Sequence, residues 1–526
     1  MLIKIILVIV FFAVMLIVGL ISRKHTTSIS GFVLGGRNVG PWMTAFAYGS
    51  SYFSAVVFVG YAGQFGWRYG LASTWIGIGN ALIGSLLAWV VLGRRTRIMS
   101  NYLSAATMPD FFGKRYQSKG IKITASAIIF IFLIPYTASV YNGLSRLFGM
   151  AFDIPYLVCV IAMAVLTGAY VILGGYMATA INDFIQGIIM IIGIVVVIVA
   201  VLNGQGGFLS ALNHLAVFES DVPATLGQPG AFTSFFGPDP LNLLGVIILT
   251  SLGTWGLPQM VHKFYTIKSE KAIDTGTVIS TLFACVIAGG SYYLGGFSRL
   301  FDDPSLREGG KMVYDSIIPF MLSSLPDILI GIVVVLVLSA SMSTLSALVL
   351  TSSSTLTLDF LKNTVMKSMD EKRQLLIMRL LIVFFIAISV FLAINPPTFI
   401  AQLMGISWGA LAGAFLAPFL YGLYWKRVSK AAVWASFICG VGLTVSNIFC
   451  KFIASPINAG AIAMLLGLII VPVVSFCTKP VSKTVTEQLF ACYEEVVTVP
   501  QKSSLSYKNI NWDEIEGSLA KKNISS

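Results

Sequence analysis

Apolar residues run in long blocks along this chain, and polar residues gather between the blocks rather than alternating with them. A membrane-crossing helix needs about 20 predominantly apolar residues, and windows of that kind recur from the start of the chain to about residue 477. The pattern predicts about thirteen helices, near 2–22, 43–65, 72–92, 122–148, 154–173, 182–203, 239–261, 274–297, 314–357, 375–394, 398–423, 431–453 and 460–477. The ninth window is too long for one simple crossing, so part of it is expected to run along or re-enter the bilayer surface. Beyond 477 the chain turns polar (TKPVSKTVTEQLFACYEEVV and onward). This divides it into a membrane domain, 1–477, and a cytoplasmic tail, 478–526, expected to be partly disordered.

Composition agrees with an all-α polytopic membrane protein: 56% of residues are hydrophobic and 11% charged, against about 25% charged in soluble domains. A net charge of +12 would suit a nucleic-acid partner if it formed one basic face. Instead the basic residues sit in short loops beside the windows, as in GRRTR (93–97), GKRY (113–116), EKR (371–373) and WKR (425–427), where they act as topology signals and not as a nucleic-acid surface. The positive-inside rule then sets the N-terminus outside and the C-terminus in the cytoplasm of a multi-pass cell-membrane protein. The long loop 204–238, without Lys or Arg, fits the outer side. The first block could be a signal peptide, but its apolar core is long and no small-residue cleavage pattern follows, so it reads as a retained helix. Cysteines 159, 285, 439, 450, 477 and 492 have neither metal-ligand nor redox-motif spacing.

Two windows place glycine and small polar residues in mid-span: FAYGSSYFSAVVF (46–58) and LTSLGTWGLPQ (249–259). Interruptions in corresponding places point to the discontinuous helices of inverted-repeat transporters, although small residues also serve close helix packing. With the first window set aside, these are the first and sixth helices of a ten-helix core. The stretch LSASMSTLSA (338–347) carries five hydroxyls, and Ala340, Ser343, Thr344 and Ala347 share one helix face. Hydroxyls and a freed carbonyl suit a hard cation such as sodium, and they equally allow tight helix contact; spacing alone does not separate the two. Asp183, in TAINDFIQG (179–187), is a carboxylate at membrane depth and therefore a functional candidate, with an interfacial helix cap as the alternative. Arg379 can snorkel to the cytoplasmic interface, and Arg146 reads as an outer-edge anchor. His25 and His262 are expected at cytoplasmic membrane edges and His214 in the external loop, so the three do not form one metal or nucleophile site. No phosphate-binding glycine loop occurs, and no clustered nucleophile or acid pair marks an enzyme.

Five stretches together resemble the sodium:solute symporter family, which includes sodium/proline, sodium/pantothenate and sodium/glucose carriers. They are LGGRNVGPWMTAFAYGSSYFSA (34–55), TMPDFFGKRY (107–116), LGGYMATAINDFIQG (173–187), SMSTLSALVLTSSSTLTLDFLK (341–362) and NPPTFIAQLMGISWGALAGAFLAPFLYGLYWKR (395–427). The resemblance implies a ten-helix inverted-repeat core similar to that of amino-acid transporters, with extra helices at the ends and broken first and sixth core helices. It implies a sodium site formed by the carbonyls of Ser50, Phe53 and Ala340 and the hydroxyls of Ser343 and Thr344. Asp183 would lie on the cytoplasmic exit route, or would form a second sodium site with Ser346; Ala347 in the next position leaves that second site incomplete. Position suggests Ser54, Gln64, Thr254 and Trp255 as solute contacts. Tyr52 stands where proline carriers have an aspartate, and Thr250 and Thr254 replace their aromatic residues, while INDFIQG and GLPQ look closer to pantothenate and carboxylate carriers.

The expected function is sodium-coupled import of a small organic solute by alternating access, with no enzyme activity, no cofactor beyond the coupling ion, and a monomer as the working unit. The solute would be a carboxylate such as pantothenate or a monocarboxylate, or an amino acid. A proline or sugar carrier of the same family, or a transporter-like membrane sensor, is the alternative.

Overall fold

Within hydrocarbon each backbone amide must find its partner in its own segment or in a closed barrel. The computed structural model, which describes residues 2–366 and 369–494, is nearly all helical. Among the described residues the one ladder is a pair of two-residue antiparallel strands, Arg307–Glu308 and Lys311–Met312, closed by Gly309 and Gly310. Among the described residues ten helices are long and apolar enough to cross a membrane, or eleven if the bent pair Pro240–Gly256 and Pro258–Thr266 is one span. Two of the ten, Val56–Tyr102 and Tyr156–Gly204, run 47 and 49 residues, about twice what one crossing needs. The second is interrupted at Gly175 (φ 54°, ψ −151°), a backbone conformation closed to side chains with a Cβ. That break falls between the windows 154–173 and 182–203.

Local signals explain several helix starts. Thr107, Ser118, Asp239 and Ser429 each precede a helix and accept a hydrogen bond from a backbone N–H in its first turn, the usual way to satisfy groups that have no intrahelical partner. The surplus length of the ninth window forms a separate short helix, Ile317–Ser323, and Pro326 then opens the helix Asp327–Thr355.

That hydroxyl-rich helix is the axis of the structure. Every residue from 336 to 355 is buried, because Leu2–Ser22, Lys119–Phe152, Tyr156–Gly204, Glu371–Ile394 and Pro41–Tyr52 pack around it. Its serines and threonines therefore face protein and not lipid, and a helix buried all round needs no amphipathic stripe. Peripheral helices differ: Leu2–Ser22 leaves Ile9, Ile17 and Leu20 more than half exposed. It is nevertheless built into the bundle, for Lys4 Nζ pairs with Asp327 at 2.9 Å and donates to the Ala151 carbonyl at 3.1 Å.

Small residues set the closest contacts. A Cβ added at Gly66 would lie 1.9 Å from the Gly295 carbonyl oxygen, so those backbones meet only because both residues lack side chains. Ile400–Tyr424, Lys430–Cys450 and Pro456–Cys477 form a three-helix group, joined to the rest through Lys119–Phe152 and the turn Gly253–Gly256. Of the segment 478–526, the described part contains a helix, Lys483–Phe490, and Tyr493, whose ring lies 4.6 Å from the Arg95 guanidinium. The expectation of a partly disordered tail concerns mainly 495–526, outside the described residues.

Candidate functional site

The helix Pro41–Tyr52 stops where Phe53 turns extended (φ −92°, ψ 122°), and regular winding resumes at Val56 as a π-helical turn. Such a break frees the last carbonyls of the first half and aims the negative end of a half-helix dipole at the gap. The hydroxyl-rich helix fills the space opposite. Thr344 Oγ1 lies 3.1 Å from the Ala340 carbonyl oxygen, 3.3 Å from those of Ser50 and Phe53, and 3.4 Å from that of Ser51. Ser343 Oγ donates to Ser50 Oγ at 2.7 Å. A hydroxyl has one proton to give, so Thr344 satisfies at most one of the four oxygens around it. The cluster is rich in acceptors and suited to a small hard cation, which takes oxygen ligands. All five residues named for sodium are thus in one place, and the Ser51 carbonyl, unmarked in the sequence, joins them.

Asp183 and Ser346 flank this cluster differently. Asp183 lies well inside the helical stretch that follows Gly175, so it does not cap a helix, and it is fully buried. Neither carboxylate oxygen has a hydrogen bond; Lys263 Nζ stands 3.6 Å from Oδ2, with both side chains about 2% exposed or less. Asp183 also feels the Ser343 hydroxyl electrostatically without bonding to it. Removing either member of such a buried pair would leave an uncompensated charge. Ser346 Oγ donates to the Ser343 carbonyl at 2.8 Å, so it is engaged within its own helix.

The four residues suggested for solute divide. Ser54 lies in the break, its Oγ accepting from Val56 N at 3.2 Å. Gln64 is half-buried, with Oε1 unbonded. Thr254 and Trp255 instead use their polar atoms on structure, donating to the Gly84 and Ile83 carbonyls at 3.1 and 2.9 Å, where residues 80–87 are π-helical. Around Ser54 the structure gathers other groups. Tyr136 lies beside Ser54 and Trp408, with ring centroids of Tyr136 and Trp408 5.9 Å apart. Tyr61, Tyr136 and Tyr292 are within electrostatic reach of one another, and Asn80 adjoins Tyr292. The hydroxyls of all three tyrosines, the Trp408 indole N–H and the Asn80 amide nitrogen are buried without a partner. So many orphaned polar groups in one neighbourhood mark a place for a ligand or water.

The profile of the sodium:solute symporter family matches residues 32–440. The chain belongs to the sodium:solute symporter family. The osmoregulated proline transporter OpuE of Bacillus subtilis is 28% identical over 504 residues, 93% of this chain and 97% of that protein. A sodium/proline symporter of Staphylococcus aureus is 30% identical over 452 residues, 83% of this chain and 84% of its own length. Among solved structures, that of a sodium-coupled sialic acid symporter in a substrate-bound outward-open state superposes with a TM-score of 0.74 at 16% identity, covering 91% of this chain and 98% of that one; the two share a fold.

In this symporter Tyr52 has a structural role. The Tyr52 hydroxyl donates to the Thr250 carbonyl at 3.1 Å, tying one broken helix to the other, and its ring packs 5.8 Å from Trp408. Sequence reasoning missed Tyr61, Asn80, Tyr136, Tyr292 and Trp408, although each is a polar group at membrane depth and could have been flagged as such. It also missed Lys263, because the seventh window was closed at 261. The helix Pro258–Thr266 carries His262 and Lys263 into buried positions, 7% and 2% exposed. Arg146 is exposed, as an anchor would be, and the half-buried Arg379 guanidinium stands 5.8 Å from the Phe32 ring.

Proposed function

We propose that this symporter imports a small organic solute, an amino acid or a carboxylate such as pantothenate or a monocarboxylate, together with sodium by alternating access. The observation that carries the reading is the oxygen cluster about Thr344: four carbonyl oxygens within 3.4 Å of one hydroxyl, at a broken helix beside orphaned polar groups. Sodium binds through Ser50, Phe53, Ala340, Ser343 and Thr344 and leaves past Asp183 and Ser346. The solute lies next to Ser54, one residue from the sodium ligand Phe53, with Tyr136, Trp408 and Asn80 as donors and Gln64 at the edge; Thr254 and Trp255 shape the space without facing it. The tyrosines there have only neutral electrostatic neighbours, so the positive partner of a solute carboxylate is the sodium ion itself. Proline, the solute in the relatives' names, fits such a zwitterion-tolerant space, but Tyr52 supplies no carboxylate partner for its ammonium, which favours carboxylates as a test class of equal standing.

The same reading takes the fold to be a ten-helix core of two inverted repeats within about thirteen crossings, with the N-terminus outside and the C-terminus cytoplasmic. Residues 1–477 form the transporting unit, which works as a monomer, and 478–526 the tail. Inward movement of one sodium ion down a 100 mV potential supplies about 2.3 kcal/mol, enough for about 50-fold solute accumulation.

The test is a thermal-shift screen of purified protein with proline, pantothenate, short monocarboxylates and sugars, with and without sodium, followed by uptake in proteoliposomes. Stabilisation by one class only when sodium is present, and uptake of that class driven by a sodium gradient, is the expected result. Uptake independent of sodium would overturn it.

A further inference from the structure

Resting on the symport reading above, we propose that the Lys263 ammonium holds the place beside Asp183 that a second sodium ion would otherwise take, so that one sodium is bound and moved per cycle. The geometry is direct. Lys263 Nζ lies 3.6 Å from Asp183 Oδ2, both groups are buried, and no other cation is within 4 Å of that carboxylate among the described residues. The ammonium also faces the Tyr176 ring, 5.2 Å from its centroid, which stabilises a cation there. Asp183, on the helix after Gly175, reaches toward Ser343 of the sodium cluster. The pair therefore adjoins the ion site at Ser343.

Charge counting favours a single ion. One sodium in the Thr344 cluster together with Asp183 and Lys263 leaves a net charge of one positive unit in the buried region. A second sodium beside Asp183 would raise it to two, with no further carboxylate among the described neighbours to offset it, and uncompensated buried charge is strongly unfavourable. The remaining ligands are also poor. Ser346, whose hydroxyl donates to the Ser343 carbonyl, offers one side-chain oxygen, and Ala347, next along the helix, has none. Substitution of the lysine frees the Asp183 carboxylate, which has no hydrogen bond of its own, to take a cation in the lysine's place.

The experiment counts sodium-22 bound per purified full-length chain and titrates sodium without needing the solute. Wild type and Lys263→Arg should bind one ion per chain with a Hill coefficient of about 1. Lys263→Gln should bind two. Adding Asp183→Asn to Lys263→Gln should return the count to one. Two ions per wild-type chain, or one per chain in Lys263→Gln protein that keeps wild-type affinity at its first site, overturns the proposal. Should Lys263→Gln not fold, Lys263→Met is counted in its place under the same criteria. Wild-type protein that binds no sodium would instead overturn the symport reading on which the proposal rests.

Discussion

Replacing Thr344 by valine removes one oxygen from the cluster while keeping the branched shape of the side chain. In the structure that oxygen stands within 3.1–3.4 Å of four carbonyls, and under the proposed assignment it is one of five sodium ligands. Interactions of a neutral hydrogen-bonding group with a charge are worth about 1.5–3 kcal/mol. At a factor of ten per 1.4 kcal/mol, losing one weakens sodium binding by about 10- to 150-fold. Thr344→Ser keeps the oxygen and loses only a methyl group, so its sodium affinity should stay within about threefold of wild type on the same scale. The assay is sodium-22 binding to purified protein, cross-checked by the sodium concentration that half-saturates thermal stabilisation; neither depends on which solute is carried. Unchanged sodium affinity in Thr344→Val, with a melting temperature near wild type, would refute the assignment. So would equal losses in the serine and valine variants, because packing and not ligation would then explain both.

Three further outcomes are expected. Asp183→Asn leaves the Lys263 ammonium buried and unpaired, which should destabilise by about 3–5 kcal/mol and lower the melting temperature, and adding Lys263→Gln should recover most of the loss; wild-type melting and transport in Asp183→Asn would show the pair to be energetically idle. Asp315 lies in the connection between two spans, where burial pushes its carboxyl up to about 6 although the Ile400 N–H and Arg146 oppose the shift. Its protonated form is favoured in the folded state, so its contribution to stability is full below about pH 4 and is lost as pH rises through about 6, about 3 kcal/mol in all. Melting curves of wild type and Asp315→Asn should therefore converge at low pH and separate above it, and parallel curves from pH 4 to pH 7 would exclude the linkage. Finally, Gly66→Ala drives a Cβ to within 1.9 Å of the Gly295 carbonyl oxygen, a case of overpacking that should destabilise by about 3 kcal/mol or more and depress the yield of monodisperse protein; a melting temperature equal to wild type would mean the helices separate freely there.

Much of the architecture was legible because the bilayer imposes a length rule on apolar segments, and both broken helices carry glycine and small polar residues at their interruptions. Phe53 and Leu257 are extended within the two quoted stretches. The candidate sodium residues were legible as a pattern of hydroxyls on one face, but spacing could not say what stood opposite that face. Lys263 was illegible for a different reason: in sequence it resembles the loop lysines that set topology. Tyr136 and Trp408 look like ordinary core aromatics until their polar atoms are found without partners.

By itself, then, the order of residues determined that this chain is helical, crosses a membrane many times and concentrates hydroxyls in one helix, because burial of backbone groups in hydrocarbon and side-chain periodicity are local constraints. Tertiary structure alone decided which oxygens meet. The approach of Ser50 and Phe53 to Ala340, Ser343 and Thr344 spans nearly 300 positions of chain, and so does not follow from any local preference. It also decided that Asp183 faces Lys263 across a helix interface and does not cap a helix, since the partner of a buried charge is chosen by packing and not by proximity in the chain.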